Sequence, residues 1–154
     1  MISTNRICIF LLLVIFCSHI GKGQSNILWK EGGLKFSLPD IPSILVNTTH
    51  DFEIEGAGYA IVAEKVVYLE QPNLANTLGE MAKDMQLLVV GKITDLDNVE
   101  GLWIKVIAND ALEKVTTYLV VVRGNGYTVE LALYCYTPLA RTSTSVRVSF
   151  GLLI

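Results

Sequence analysis

The stretch VTTYLVVVRGNGYTVELALYCY, residues 115–136, decides the fold. Two runs rich in β-branched and aromatic residues flank a central Gly124-Asn125-Gly126. Asn125-Gly126 suits the positive φ angles of a tight hairpin turn, so two long antiparallel strands are predicted, Val115 to Val122 and Tyr127 to Tyr136. The second alternates: Tyr127, Val129, Leu131, Leu133 and Cys135 share one phase, and Thr128, Glu130, Tyr134 and Tyr136 share the other. A strand sends successive side chains to opposite faces. The first set therefore reads as core, and the second as a partly wet face carrying two tyrosines.

Upstream of the hairpin, Leu102 to Ala108 and Leu87 to Ile93 read as further strands, the latter interrupted by Gly91. One helix is predicted before them. Pro72-Asn73 gives it a start with Asn73 as N-cap. Leu74, Leu78, Met81 and Met85 recur at helical spacing, and Glu80, Lys83 and Asp84 take the opposite face. Earlier still, Tyr59 to Leu69 is a long strand, Phe52 and Ile54 alternate before Gly56-Ala57-Gly58, and Leu34-Lys35-Phe36-Ser37-Leu38 alternates cleanly. Trp29 anchors the approach segment. Downstream, Leu139, Val146 and Phe150 fit one helical face after Pro138, so a second, terminal helix is expected despite the Thr142-Ser143-Thr144-Ser145 run. The expected fold class is α+β: an antiparallel β-sheet flanked by two helices.

The chain has 154 residues, a length that favours one domain. Residues 1–23 read as a secretory signal peptide: Arg6 is the basic residue, Ile7 to Phe16 the apolar run, and Gly21 and Gly23 the small residues before a cut at Gln24. A retained anchor and a lipoprotein with lipidated Cys17 are the alternatives. Residues 24–154 form the predicted domain, expected to be secreted or periplasmic, with no membrane span once the signal is removed. The leader holds Arg6 and Lys22 and no acid, which leaves 10 basic and 15 acidic residues, a net charge of −5. An acidic domain lacks the dense basic face that nucleic acid requires.

Cysteine and histidine counts restrict the chemistry. Cys8 and Cys17 leave with the leader, so Cys135 remains alone, in phase with core residues. His50 is the one histidine of the predicted domain. A catalytic triad through it is disfavoured, because its acidic neighbour Asp51 would point to the other face. Asp95, Asp97 and Glu100 echo a calcium loop, but Val99 and Glu100 stand where a ligand and a glycine belong. Gly124-Asn125-Gly126 lacks the lysine and the helix of a phosphate loop. Asn47-Thr48-Thr49 is formally a glycosylation sequon. No catalytic, cofactor or metal residue is assigned.

Leu34-Lys35-Phe36-Ser37-Leu38-Pro39, the Asn73 to Met85 helix after the long strand, Gly101-Leu102-Trp103, and Tyr118 to Tyr134 followed by Val148-Ser149-Phe150 occur in an order that resembles the PsbP-like fold family. The Gly-Trp pair usual after the opening proline is replaced here by Asp40-Ile41-Pro42. The resemblance implies a binding or assembly role and carries no catalytic residue across. The expected function is a non-enzymatic binding module for another secreted or envelope protein, monomeric by itself, with Tyr134 and Tyr136 as the candidate partner contact. The alternatives are a carrier of a small apolar ligand, lined by Leu78, Met81 and Met85, or a small hydrolase drawing on Glu53, Glu55 and Glu64.

Overall fold

The computed structural model describes residues 25–97, 99–109, 114–137 and 147–150. In chain order the elements are β1 (Ser25–Trp29), β2 (Leu34–Leu38), β3 (Ser43–Asn47), β4 (Asp51–Gly56), β5 (Tyr59–Val66), α1 (Leu74–Asp84), β6 (Leu88–Val89), β7 (Thr94–Asp95), β8 (Gly101–Asn109), β9 (Lys114–Arg123), β10 (Thr128–Thr137) and β11 (Arg147–Phe150). They form two sheets. A three-stranded sheet has the order β1-β2-β11. An eight-stranded sheet runs β3-β4-β5-β10-β9-β8-β6, with β7 also on β8.

The long hairpin sits at the centre of the large sheet. Strands β9 and β10 pair over ten residues, from Thr128 opposite Arg123 to Thr137 opposite Lys114. Gly126 takes a φ of +80° in the connecting turn, a conformation that costs a glycine little. The Gly124 N–H donates to the Tyr127 carbonyl at 2.8 Å and closes the turn.

The α+β expectation with two flanking helices is corrected. Among the described residues there is one helix, and the architecture is mostly β. The stretch read as a terminal helix contributes instead the strand β11, which pairs antiparallel with β2; residues 138–146 lie outside the described residues. The physical reason is visible in Val146-Arg147-Val148-Ser149-Phe150. These residues alternate with period two and hold two β-branched valines, and the edge of β2 away from β1 supplies the backbone partners that a strand needs. The opening strand also departs from expectation. It joins a separate small sheet instead of lengthening the large one.

The small sheet covers one face of the large sheet, and aromatic rings seal the contact. Phe52 on β4 is sandwiched between Trp29 and Phe36, with ring centroids 5.6 and 5.3 Å away and interplanar angles of 16° and 6°. All three rings are buried, together with Leu34, Leu38, Ile61 and Leu131. Trp29 Nε1 donates to the Thr48 carbonyl at 3.0 Å, so the indole is satisfied although enclosed. Cys135 is buried in the same core, as its phase requires.

A second, part-buried knot locks the turn between β4 and β5 to the chain leaving β2. The Tyr59 hydroxyl donates to Asp40 Oδ1 at 2.6 Å, and the Ala57 N–H donates to Asp40 Oδ2 at 2.8 Å. Ser25 Oγ donates to the Asp40 carbonyl. Gly56 is required beside it, because a Cβ there would overlap the Tyr59 ring. Burial, reinforced by the Asp40 carboxylate, pushes the Tyr59 phenol far above its usual value of 10.0.

The helix packs on the opposite face, against β8 and β9. Asn73 Oδ1 accepts from the Ala75 and Asn76 N–H groups at 3.0 and 3.1 Å, as an N-cap should. Leu74, Leu78 and Ala82 are buried against Ile104, Val106, Leu119 and Val121. The stripe read as a carrier lining is thus packed against the sheet. The helix ends in a left-handed residue, Gln86, while the Leu87 N–H reaches back to the Ala82 carbonyl at 2.9 Å.

Two predictions follow from these packings. Phe52→Ala removes the middle ring of the sandwich and should lower stability by about 3–5 kcal/mol in urea unfolding. Tyr59 has a folded pKa above its unfolded one, so its contribution is complete below about pH 10 and is lost as pH rises above that, where only the unfolded phenol ionises. Thermal melts above pH 10 should show this decline. Tyr59→Phe should flatten it while costing about 1–2 kcal/mol at neutral pH.

Candidate functional site

Helix α1 covers only part of its face. It lies over β8 and β9 and reaches Ala132 and Tyr134 on β10. The same face of β10, β5 and β4 continues beyond it without a covering helix among the described residues. Strand register shows what that bare half carries, because residues directly opposite one another in a sheet point to the same side.

Three rows cross the strands. Glu55, Ala60 and Tyr134 are opposite one another on β4, β5 and β10. Next come Glu53, Val62 and Ala132, then Asp51, Glu64 and Glu130. The expected contact tyrosines therefore share a face with the acids considered for hydrolase chemistry. Tyr134 and Tyr136 are both partly buried. Burial raises the Tyr134 phenol, and the nearby Tyr136 and Glu53 add to the rise. Those three side chains thus converge electrostatically. Val62, between them and the outer acids, is exposed.

The last row opposes three carboxylates on adjacent strands, an arrangement that costs stability. Two are relieved: the Tyr68 hydroxyl donates to Glu130 Oε1 at 2.7 Å, and the Thr48 hydroxyl donates to Asp51 Oδ2 at 3.3 Å. Burial first, and then the bond to Glu130, push the Tyr68 phenol up to about 12. The acids are spread along a sheet surface, and among the described residues no group of three or more His, Cys, Asp or Glu could hold a metal ion.

A concavity of about 510 Å³ lies elsewhere, where the helix begins. Asn73, Asp95, Glu100 and Arg123 contribute its polar groups. Arg123 makes three side-chain bonds there. Its Nε pairs with Glu100 Oε1, Nη1 donates to Gln71 Oε1 at 3.1 Å, and Nη2 donates to the Pro72 carbonyl at 3.0 Å. The fork ties the strand end to the residues that precede the helix. The arrangement is a clasp for α1, with three of the five guanidinium N–H groups engaged within the chain.

The remaining sequence candidates fall apart in space. His50 is exposed in the β3–β4 turn, where its N–H donates to Thr48 Oγ1 at 3.2 Å and its carbonyl accepts from Lys65 N–H at 2.7 Å. Asp95 belongs to β7, and Glu100 turns to Arg123. Asn47 is exposed at the end of β3. Residues 1–23, with the predicted leader and Cys17, lie outside the described residues.

The fold is similar to solved structures. A variant of the protein Mog1 superposes with a TM-score of 0.52 at 11% sequence identity, covering 77% of this chain and 80% of that one. The Saccharomyces cerevisiae Ran-binding protein Mog1p gives a TM-score of 0.49 at 8% identity, covering 76% and 79%. Neither a family model nor a curated protein matches. The likeness concerns the fold. It corrects the family resemblance drawn from sequence: the neighbour at a TM-score of 0.52 carries the name Mog1, a family different from PsbP. The short motifs behind that resemblance describe strand ends and a helix start, which many β-rich domains need. A secreted partner finds no support in these neighbours. Among the described residues no helix is long and apolar enough to cross a membrane.

The Arg123 clasp yields a stability prediction. Arg123→Lys keeps the charge but loses the planar fork, and should destabilise by at least about 1 kcal/mol in urea unfolding. Glu100→Gln should cost less, because the Glu100 side chain is 66% exposed and water screens the pair. Equal losses would make the ionic bond, not the fork, the important part.

Proposed function

We propose that this chain is a non-enzymatic binding module whose bare sheet half, carrying Tyr134, Tyr136, Glu53 and Glu55, receives a basic segment of a protein partner. The supporting observation is the register, which brings the two tyrosines and the acids to one face, where Tyr134 borders α1 and no helix among the described residues covers β4 and β5. Tyrosines give large contact area at low entropic cost. Carboxylates beside them select a cationic partner and speed the encounter. An open sheet surface suits an extended segment better than it suits a small substrate, which needs a concave site. The leader reading belongs to the same proposal and puts the domain outside the cytoplasm, which intact-mass measurement for a chain beginning at Gln24 would test.

The contact is tested with a photo-crosslinking amino acid placed at position 136 and, as a control, at the exposed position 69 in living cells. The expected result is one reproducible protein adduct from position 136, absent from position 69, reduced about tenfold or more by Glu53→Gln with Glu55→Gln and by added salt. Melting temperatures of the variants check the fold. The same adducts from both positions, or adducts indifferent to the two substitutions, would remove this face from consideration.

A further inference from the structure

We propose that Asn47 carries an N-linked oligosaccharide; this rests on the leader reading, because such sugars are added to exported chains. Asn47-Thr48-Thr49 is the sole Asn-X-Ser/Thr sequence in the chain. The structure adds the setting. Asn47 ends β3, which is the outermost strand on its side of the large sheet, and residues 47–50 are all exposed. Other asparagines serve the fold: Asn73 caps α1, and Asn26 accepts from Ser37 at 2.8 Å. Among the described residues the Asn47 amide has no such duty. Thr48 holds the turn in its place. Its N–H donates to the Asp51 carbonyl at 2.8 Å, its carbonyl accepts from Trp29 Nε1 at 3.0 Å, and its Oγ1 accepts from the Asp51 N–H at 2.8 Å. The backbone is thus fixed while the Asn47 and Thr49 side chains face solvent.

Register sets where the sugar goes. Asn47 stands opposite Phe52 and Ile44 opposite Ile54, with a bulge between Ile44 and Val46. Opposite residues share a side, so Asn47 and Ile44 both lie on the side of the small sheet, about 7 Å apart along the strand. Ile44 is nevertheless 52% exposed, and Leu45 and Ile41 near it are exposed as well. A bulky, solubilising sugar on Asn47 covers this apolar rim. Glu53, opposite Val46, lies on the other side, so the sugar leaves the acidic face open. The step itself is a substitution at carbon. Asn47 Nδ2 bonds to the anomeric carbon of a lipid-linked oligosaccharyl pyrophosphate. The bond from that carbon to the pyrophosphate oxygen breaks, and the lipid pyrophosphate leaves with the electron pair. Nδ2 gives up one proton, and nothing is oxidised or reduced.

Intact-mass measurement on the full-length gene product recovered from its own cells, before and after peptide N-glycosidase, tests this. The expected product begins at Gln24 and is heavier than residues 24–154 by one oligosaccharide. The glycosidase should remove the sugar and leave a carboxylate at position 47. Asn47→Gln and Thr49→Ala should each abolish the added mass, and Thr49→Ser should keep it. These substitutions alter exposed side chains, so melting temperatures of the sugar-free chains should stay near that of the sugar-free parent. A chain that begins at Gln24 and has the bare mass overturns the glycan and leaves the leader reading standing. A bare chain that retains residues 1–23 overturns both. Added sugar that persists in Asn47→Gln overturns the site. Position 136 lies on the opposite face of the sheet, so its cross-linking reads the partner contact separately.

Discussion

The sandwich of Trp29, Phe52 and Phe36 is the contact on which the rest of the structure depends. It joins a small sheet built from the first and last described strands to one face of a large sheet built from everything between. Each ring removes enough apolar area from water to contribute roughly 1.5–3 kcal/mol, and stacking adds to that. The indole N–H also holds the β3–β4 turn through the Thr48 carbonyl. Without this contact, two sheets would each expose an apolar face.

Covering one face of the large sheet with a second sheet has a consequence for the other face. Only an eleven-residue helix is available there among the described residues. At about 1.5 Å per residue, such a helix is roughly 16 Å long. It covers β8, β9 and part of β10, as the burial of Leu78, Leu119 and Val121 shows. The strands beyond its reach must tolerate water on that side, and their residues fit the need. Glu53, Glu55 and Glu64 alternate with Phe52, Ile54, Ile61 and Ala63, so one strand face is charged and the other is core. The bare half follows from geometry. Tyr134 at its border serves the packing beneath α1, whereas Tyr136 is larger than a face that only had to be wet requires.

Much of this was legible in the sequence, wherever the signal was local. The Asn125-Gly126 turn, the phase of Leu131, Leu133 and Cys135, the Asn73 cap and the apolar stripe of α1 each depend on residues within one element. Non-local pairing was not legible. Leu34–Leu38 reads as a strand, but nothing within it says that β1 and β11 are its neighbours. Phe150 fits a helical spacing with Val146 as well as a strand spacing with Val148, and only the free edge of β2 decides between them. The candidate site divides in the same way. Alternation placed Tyr134 and Tyr136 opposite the core, whereas Glu53 and Glu55 join them through the registers of β4 on β5 and β5 on β10, which no single stretch encodes.

The distribution of charge completes the physical picture. A row that opposes Asp51, Glu64 and Glu130 works against stability, and the structure relieves it at Glu130 through Tyr68 and at Asp51 through Thr48. Elsewhere polar groups are handled with economy: Asp40 serves three donors or neighbours at once, and Arg123 engages three acceptors. The contrast is informative. Asp40 and Arg123 are thus engaged within the chain. Asp51, Glu55 and Glu64 are exposed and lie on a surface that another molecule can reach. Natural sequences keep costly features where a task requires them. The acidic, tyrosine-bearing half of the sheet is the place where this chain departs from what folding alone would select.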